Sequence, residues 1–183
     1  MKYIFILFQL CLCLSLSAQD DISLLFVGDL MQHQAQIDAA RQGYGYNYDD
    51  CFRHVEKEIS KADIAIGNLE VTLGGKPYRG YPVFSAPDEY LYAIKKAGFD
   101  VLLTANNHCL DQRKTGLERT ILMLDSLKIP HAGTYRNPEE RHKNYPLLIE
   151  KNGFRVVLLN YTYGTNGFKT DAPNVVNYIN REQ

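Results

Sequence analysis

Short apolar runs that alternate with helix-like segments are the feature that most restricts how this chain folds. The runs lie at residues 22–27, 64–66 and 99–105, and each ends in a polar turn. Continuous apolar runs of this length are typical of strands buried on both faces, and we expect this of the first run too. Because parallel neighbours in a sheet need crossover connections, repeated strand-then-helix units predict an α/β fold with a parallel sheet.

The helices between the runs are predicted from their apolar spacing and their end signals. The first has Asp49 or Asp50 as its N-cap and an apolar stripe of Phe52, Val55 and Ile59. The second begins at the sequence Ser-Ala-Pro-Asp, residues 85–88, with the serine as cap, and ends at glycine 98. A third carries an apolar stripe at residues 117, 121, 124 and 127.

A β-hairpin is predicted near the C-terminal end of the sequence. Two apolar segments, residues 145–150 and 154–159, flank the tripeptide Lys151-Asn152-Gly153. Asn-Gly is the preferred dipeptide of tight hairpin turns. We expect this antiparallel pair to extend one side of the sheet.

The first residues read as a targeting segment rather than as part of the fold. A positive Lys2 precedes an apolar run over residues 3–16, and small residues follow it. This layout predicts a signal peptide over residues 1–19, with one domain over residues 20–183, and therefore a secreted, periplasmic or cell-surface protein. Cys11 and Cys13 lie in the run without small residues ahead of them, so a lipid anchor is not expected.

Charge argues against a nucleic-acid partner. The chain has 20 basic and 21 acidic residues, a formal net charge of −1. Nucleic-acid binding domains usually carry a basic surplus.

Polar side chains follow each predicted strand, at the edge where open α/β sheets bind ligands. Carboxylates, imidazoles and amide oxygens are also the groups that hold divalent cations. Two cations that share a carboxylate would generate a hydroxide and neutralise an oxyanion. The candidates are Asp29, His33, Asn68, Glu70, Asn106, Asn107, His108, Asp111, Asn160 and Tyr161.

Structural alternatives exist for the single members of this set. Asn and Asp are common in any turn, because their side chains bond their own backbone. Asp111 also suits the cap of a helix that begins near Arg113. His33 alone suits an exposed surface position, and Arg79 suits either solvent or an anionic substrate.

Five strings carry a resemblance to a known family. FVGDLMQH, ADIAIGNLEVTL, FDVLLTANNHCLD, IPHAG and LLNYTYGTNG occur in this order between residues 26 and 167. Together they resemble the poly-gamma-glutamate synthesis protein CapA family, whose domain is similar to the calcineurin-like metallophosphatases. The resemblance implies a layered sheet with helices and a metal-dependent, phosphoesterase-like hydrolase site.

The resemblance also implies roles for individual residues. Asp29, Glu70 and Asn107 correspond to metal ligands, and His108 corresponds to the histidine that acts as acid or electrostatic stabiliser. His33 lies near a further ligand of that superfamily, although its spacing from Asp29 is longer than the usual Asp-x-His. Zn or Mn would suit the mixture of imidazole and carboxylate.

Members of this family continue with His-Trp-Gly and Gly-x-His-Pro-His segments, and this sequence has neither and no Trp. We therefore expect an N-terminal part of such a protein, with an incomplete metal site and an exposed apolar sheet edge. The expected partner is an anionic polymer such as poly-gamma-glutamate, or a phosphoester-like small molecule, with membrane-associated synthesis machinery as a further candidate. The candidate residues for substrate binding are Asn68, Arg79, Asn160 and Tyr161. The alternatives are a non-catalytic polymer-binding accessory protein and an inactive fragment.

Overall fold

A four-stranded parallel sheet lies at the centre of the protein, and it confirms the predicted α/β class. The computed structural model describes residues 21–179. The predicted signal peptide therefore lies outside the described residues. The strands are β1 (Leu24–Leu30), β2 (Arg41–Gln42), β3 (Gly45–Tyr46), β4 (Ile64–Leu69), β5 (Val101–Leu103), β6 (His131–Ala132), β7 (Thr134–Tyr135), β8 (Leu147–Lys151), β9 (Phe154–Leu158) and β10 (Val175–Val176).

The central sheet has the order β1-β4-β5-β6, and all its neighbours are parallel. Three further sheets have two strands each and pair β2 with β3, β7 with β10, and β8 with β9. The helices are α1 (Gln34–Ala40), α2 (Asp49–Phe52), α3 (Glu56–Ile59), α4 (Asp88–Lys96), α5 (Arg113–Ser126) and α6 (Pro138–Asn144). Within residues 21–179, no helix has the length and apolar character needed to cross a membrane.

The two faces of the sheet are covered by different elements. On one face, Ala65 and Leu102 join a core with helical residues such as Ile59, Leu91 and Leu124. On the other face, Ile64, Ile66 and Val101 pack with Leu158, and the β8–β9 hairpin supplies the surrounding apolar side chains. Since successive strand residues alternate between faces, β4 contributes to both cores.

The predicted hairpin forms from β8 and β9, but it does not lie beside the central sheet as expected. Asn152 and Gly153 have φ values of 51° and 82°, which is the left-handed backbone that an Asn-Gly turn requires. The hairpin is a separate two-stranded sheet that covers β4 and β5, so it does not extend the central sheet.

The prediction that the first strand is buried on both faces is wrong. Leu24 is 39% exposed and Phe26 is 59% exposed. β1 is an edge strand, and the hairpin core is built around Ile64, Ile66 and Val101 rather than around these two side chains.

The predicted helix after residue 49 is interrupted. Phe52 and Ile59 are buried as expected, but Val55 is 47% exposed. α2 ends at Phe52, and Val55 then takes the N-cap position of α3. The break rotates Val55 away from the stripe that continuous helical spacing would have given it.

Ser85 does not cap α4, contrary to the prediction. Its hydroxyl donates to the Gly75 carbonyl at 2.7 Å, and its backbone pairs with Arg79. Pro87 stands at the N-cap, without a side-chain bond. The predicted end of the helix is confirmed, because Gly98 follows it with a φ of 103°.

Candidate functional site

The polar residues that follow the parallel strands meet at one edge of the sheet. Asp29 lies near the end of β1, opposite Asn68 in the ladder with β4. The register shifts between Val27 and Asp29, so that the strand is irregular just before the aspartate. Bulges of this kind are common next to active sites, because they re-aim a side chain.

Asn68 joins the two acidic residues of the site. Its Nδ2 donates to Asp29 Oδ1 at 2.8 Å and to Glu70 Oε2 at 2.7 Å. Glu70 is only 9% exposed, whereas Asp29 is exposed. The predicted residues Asp29, Asn68 and Glu70 thus form one contact group, and the amide lies between the carboxyl groups.

The charge of this pair is poorly compensated. Burial, followed by the hydrogen bond and the negative charge of Asp29, raises the pKa of Glu70 to about 7. His108 and Asn68 act in the opposite direction. Among the described residues, no lysine or arginine forms an ion pair with either carboxyl group. The pair therefore presents acidic oxygens without a balancing cation.

Asn106 ties the turn after β5 to β4. Its Nδ2 donates to Asn68 Oδ1 at 3.1 Å and to the Leu69 carbonyl at 2.8 Å. Its Oδ1 accepts from the backbone N–H of His108 at 3.0 Å. Asn106 thus stabilises the turn and fixes the position of the His108 backbone.

His108 is held from one side by a buried aspartate. Asp111 Oδ2 lies 2.9 Å from His108 Nδ1 and also accepts from the backbone N–H of Phe84 at 2.7 Å. The Phe84 ring meets the imidazole edge to face, with 4.7 Å between the ring centroids. The alternative interpretation of Asp111 as a helix cap is wrong, because Gln112 occupies the cap of α5.

Asn107 and His108 share a neighbour that the sequence interpretation missed. Asn107 Nδ2 donates to Asn166 Oδ1 at 3.3 Å, and Asn166 Nδ2 lies 3.3 Å from His108 Nδ1. Asn166 belongs to the polar segment that follows the hairpin, within the string LLNYTYGTNG. Its signal was the Asn-Gly pair at residues 166–167, which marks a tight turn.

His33 contacts the same phenylalanine ring, Phe84, as His108 does. Its ring meets Phe84 edge to face, with centroids 5.5 Å apart, and stacks on Tyr81 with centroids 6.1 Å apart. It stands at the N-cap of α1, where its backbone N–H donates to Gln36 Oε1 at 2.6 Å. In the described structure its contacts are therefore aromatic and helix-capping.

The other candidate contacts for substrate form no hydrogen bond with Asp29, Glu70 or His108 in the described structure. Asn160 clamps the backbone of Ala105, since its Oδ1 accepts from the Ala105 N–H at 2.6 Å and its Nδ2 donates to the Ala105 carbonyl at 3.3 Å. Tyr161 packs edge to face on Tyr145, with centroids 5.8 Å apart. Arg79 is exposed, and its backbone pairs with Ser85.

The donor set suits a divalent cation in part. Asp29 and Glu70 offer adjacent carboxyl oxygens, and Asn107 Oδ1 forms no hydrogen bond with another described residue. Carboxylate and amide oxygens are common ligands of such cations. However, residues 21–179 contain no group of three or more His, Cys, Asp or Glu side chains that could hold a metal together. Within these residues the carboxyl pair would therefore offer a cation two ligands, fewer than a divalent cation takes.

Comparison with known proteins gives a consistent match over most of the chain. Residues 23–183 match the family described as "Bacterial capsule synthesis protein PGA_cap". The chain is 30% identical over 149 residues to the capsule biosynthesis protein CapA of Bacillus anthracis, which covers 78% of this chain and 35% of that protein. It is 28% identical to the uncharacterized protein y4uA of Sinorhizobium fredii, over 76% of this chain and 30% of that protein. The chain therefore spans about a third of the length of these relatives.

Proposed function

The chain belongs to the bacterial capsule synthesis protein PGA_cap family, and from this we propose that it carries a metal-dependent hydrolase site that acts in the biosynthesis of an extracellular capsule polymer. We further propose that the fold is of the calcineurin-like metallophosphatase type. The parallel sheet with the site at the carboxyl ends of β1, β4 and β5 supports this.

The observation that carries the proposal is the acidic pair Asp29 and Glu70. Two carboxyl groups bridged by Asn68, with no lysine or arginine of residues 21–179 paired to them, are unfavourable near neutral pH, in line with the raised pKa of Glu70. A bound divalent cation would relieve this repulsion.

Each site residue has a role in this proposal. Asp29, Glu70 and the amide oxygen of Asn107 would hold the cation, with Zn or Mn as the fitting metals. When bound, the cation would supply Lewis-acid activation of the scissile group and of a water molecule. His108 would donate a proton from Nε2 to the leaving oxygen, because Asp111 already engages Nδ1.

The proposed substrate is an anionic polymer such as poly-gamma-glutamate, or a smaller phosphoester. The name of the Bacillus anthracis relative supports a capsule-related substrate. Arg79 would meet its negative charge, and Asn68, Asn160 and Tyr161 are the further candidate contacts. The signal-peptide pattern of residues 1–19 supports action outside the cytoplasm, where membrane-associated synthesis machinery would be a partner.

A binding role without catalysis is the second candidate. It is favoured by the observation that residues 21–179 contain no group of three or more metal-binding side chains of the usual types. In this case the same edge of the sheet would hold polymer for a partner protein.

The experiment that separates the two candidates combines metal content with turnover. The purified chain is stripped with EDTA and reloaded with Mn²⁺ or Zn²⁺. Bound metal and hydrolysis of a chromogenic phosphodiester are then measured, together with binding of poly-gamma-glutamate by calorimetry. We expect metal binding, weak because the ligand set is incomplete, and turnover, and Asp29→Asn should abolish both.

A matched control is Asp50→Asn, because it makes the same change at an exposed aspartate of α2. It should leave both measurements unchanged. Polymer binding without metal or turnover would establish the second candidate and reject the first.

A further inference from the structure

We propose that Asn166 is a positioning residue, which orients the Asn107 side chain so that its amide oxygen faces the cation site. This inference rests on the proposed function, because it assigns Asn107 as a ligand. It concerns a residue outside the group that follows β1, β4 and β5.

The hydrogen bond between the two amides sets the direction of Asn107. Asn107 Nδ2 donates to Asn166 Oδ1 at 3.3 Å. An amide whose nitrogen is engaged in this way has its oxygen on the opposite side of the carbon. Among the described residues, that oxygen accepts no hydrogen bond. Residues that hold the far side of a metal ligand in this way raise metal affinity, because they remove unproductive rotamers.

The turn that carries Asn166 is built to hold it. Asn166 and Gly167 have φ values of 50° and 81°, and Phe168 N donates to the Thr165 carbonyl at 2.9 Å. Thr165 Oγ1 donates back to the Phe168 carbonyl at 2.5 Å. Two positive φ values in succession suit Asn-Gly better than most pairs, because Asn tolerates the left-handed region.

Two contacts fix this turn to the rest of the molecule. Arg113 Cζ lies over the Phe168 ring, 3.4 Å from the ring centroid. The same ring packs on the apolar cluster that contains Leu110 and Leu117. Thr165 Oγ1 lies 3.0 Å from the Tyr178 hydroxyl. The turn therefore presents Asn166 over Asn107 from a fixed base.

Asp111 rather than Asn166 controls His108. Asn166 Nδ2 lies 3.3 Å from His108 Nδ1, whereas the Asp111 carboxylate is at 2.9 Å. Charge-assisted hydrogen bonds are shorter and stronger than neutral ones, so the Asp111 carboxylate is the stronger partner of Nδ1. The effect of Asn166 consequently falls on Asn107.

The test compares Asn166→Gly with Asn152→Gly. Both changes remove an amide from an Asn-Gly turn at positive φ, and glycine keeps that backbone. Asn152 lies in the β8–β9 hairpin turn, bonded to Asp63. Two quantities are measured on the purified chain: the ¹⁵N signal of the Asn107 side-chain amide without metal, and the affinity for Mn²⁺ by calorimetry.

Asn166→Gly should shift the Asn107 signal and weaken Mn²⁺ binding about tenfold. Asn152→Gly should do neither. Asn166→Asp keeps an acceptor for Asn107 Nδ2, so it should return the Asn107 signal towards that of the wild type. An unchanged signal in Asn166→Gly, or no return in Asn166→Asp, would overturn the proposal.

If the wild-type chain binds no Mn²⁺, the proposed function fails, but the Asn107 signal still decides whether Asn166 orients this side chain.

Discussion

Asp111 Oδ2 serves two donors at once, since it lies 2.9 Å from His108 Nδ1 and 2.7 Å from the backbone N–H of Phe84. Asp111 is 3% exposed and His108 is 7% exposed. The contact therefore fixes the imidazole from inside the protein, and Nε2 forms no hydrogen bond with another described residue.

Asp111→Asn should lower kcat/KM for phosphodiester hydrolysis about 100-fold or more. The amide can still accept from Phe84, but it removes the charge that stabilises a protonated His108. Kinetics and the ring ¹⁵N signals of His108 check this. Asp125→Asn, which alters a half-exposed ion pair with Arg136, is the control and should have no effect on either. Wild-type kinetics in Asp111→Asn would contradict the role.

Glu70→Gln should stabilise the fold at pH 8 but much less at pH 4.5. Folding raises the pKa of Glu70 from 4.5 to about 7, so the folded state holds this proton more tightly than the unfolded state. The associated stability is present below pH 4.5 and is lost as the pH rises through 7. Glutamine does not titrate, and its gain over wild type at pH 8 should be about 3 kcal/mol.

Urea unfolding of both proteins in EDTA at the two pH values measures this difference. Glu58→Gln is the control, because it changes a largely exposed side chain in an ion pair with Lys61. A difference between Glu70→Gln and wild type that does not vary with pH would contradict the raised pKa.

Gly133→Ala should destabilise the protein by about 3 kcal/mol or more. Gly133 has a φ of 125°, and a β-carbon there would overlap Asn160 Oδ1 and Ala105 N. These are the atoms through which Asn160 clamps Ala105, so the change also loosens the turn that leads to His108.

Gly153→Ala separates this overlap from backbone strain. Gly153 has a φ of 82°, but a β-carbon there meets nothing within 4 Å. Gly153→Ala should lower the free energy of unfolding by only about 1–2 kcal/mol, which is the strain of a left-handed backbone at a residue with a β-carbon. Equal losses in the two variants, measured by urea unfolding, would show that the close approach at Gly133 does not matter.

Phe26→Ser should reduce self-association of the purified chain with little change in stability. Phe26 is an exposed aromatic on an edge strand, and such edges invite pairing between molecules. Sedimentation velocity over a concentration series checks this. Tyr44→Ser is the control, because Tyr44 is an exposed aromatic outside the strands. Identical sedimentation of wild type and Phe26→Ser would contradict the prediction.

The sequence was informative about the sheet because its signals were local. The apolar runs located β1, β4 and β5, and Asn152-Gly153 located the hairpin turn. The meeting of Asp29, Asn68 and Glu70 followed from parallel pairing, since residues at the ends of neighbouring strands lie at one edge.

Features that depend on distant contacts could not be predicted. Val55 lies on the stripe only if α2 and α3 form one helix, and nothing local shows the break. Ser85 has the composition of a cap, but Gly75 takes its hydroxyl. Asn166 bonds to Asn107 from a turn in which Phe168 packs on Arg113, which is 55 residues away in the sequence.

The irregularity before Asp29 has a consequence for the whole first strand. Leu25, Val27 and Leu30 all pack on the helical core. Regular alternation would instead place Val27 and Leu30 on opposite faces of the sheet. Gly28 is the residue without a partner in the ladder, so β1 uses seven residues to travel the length of six on β4. Because Gly28 is an extra residue, the side chains that face the core are odd-numbered before it and even-numbered after it. The strand keeps Leu30 in the core while turning Asp29 outwards, so a single strand serves the interior and the site without compromising either.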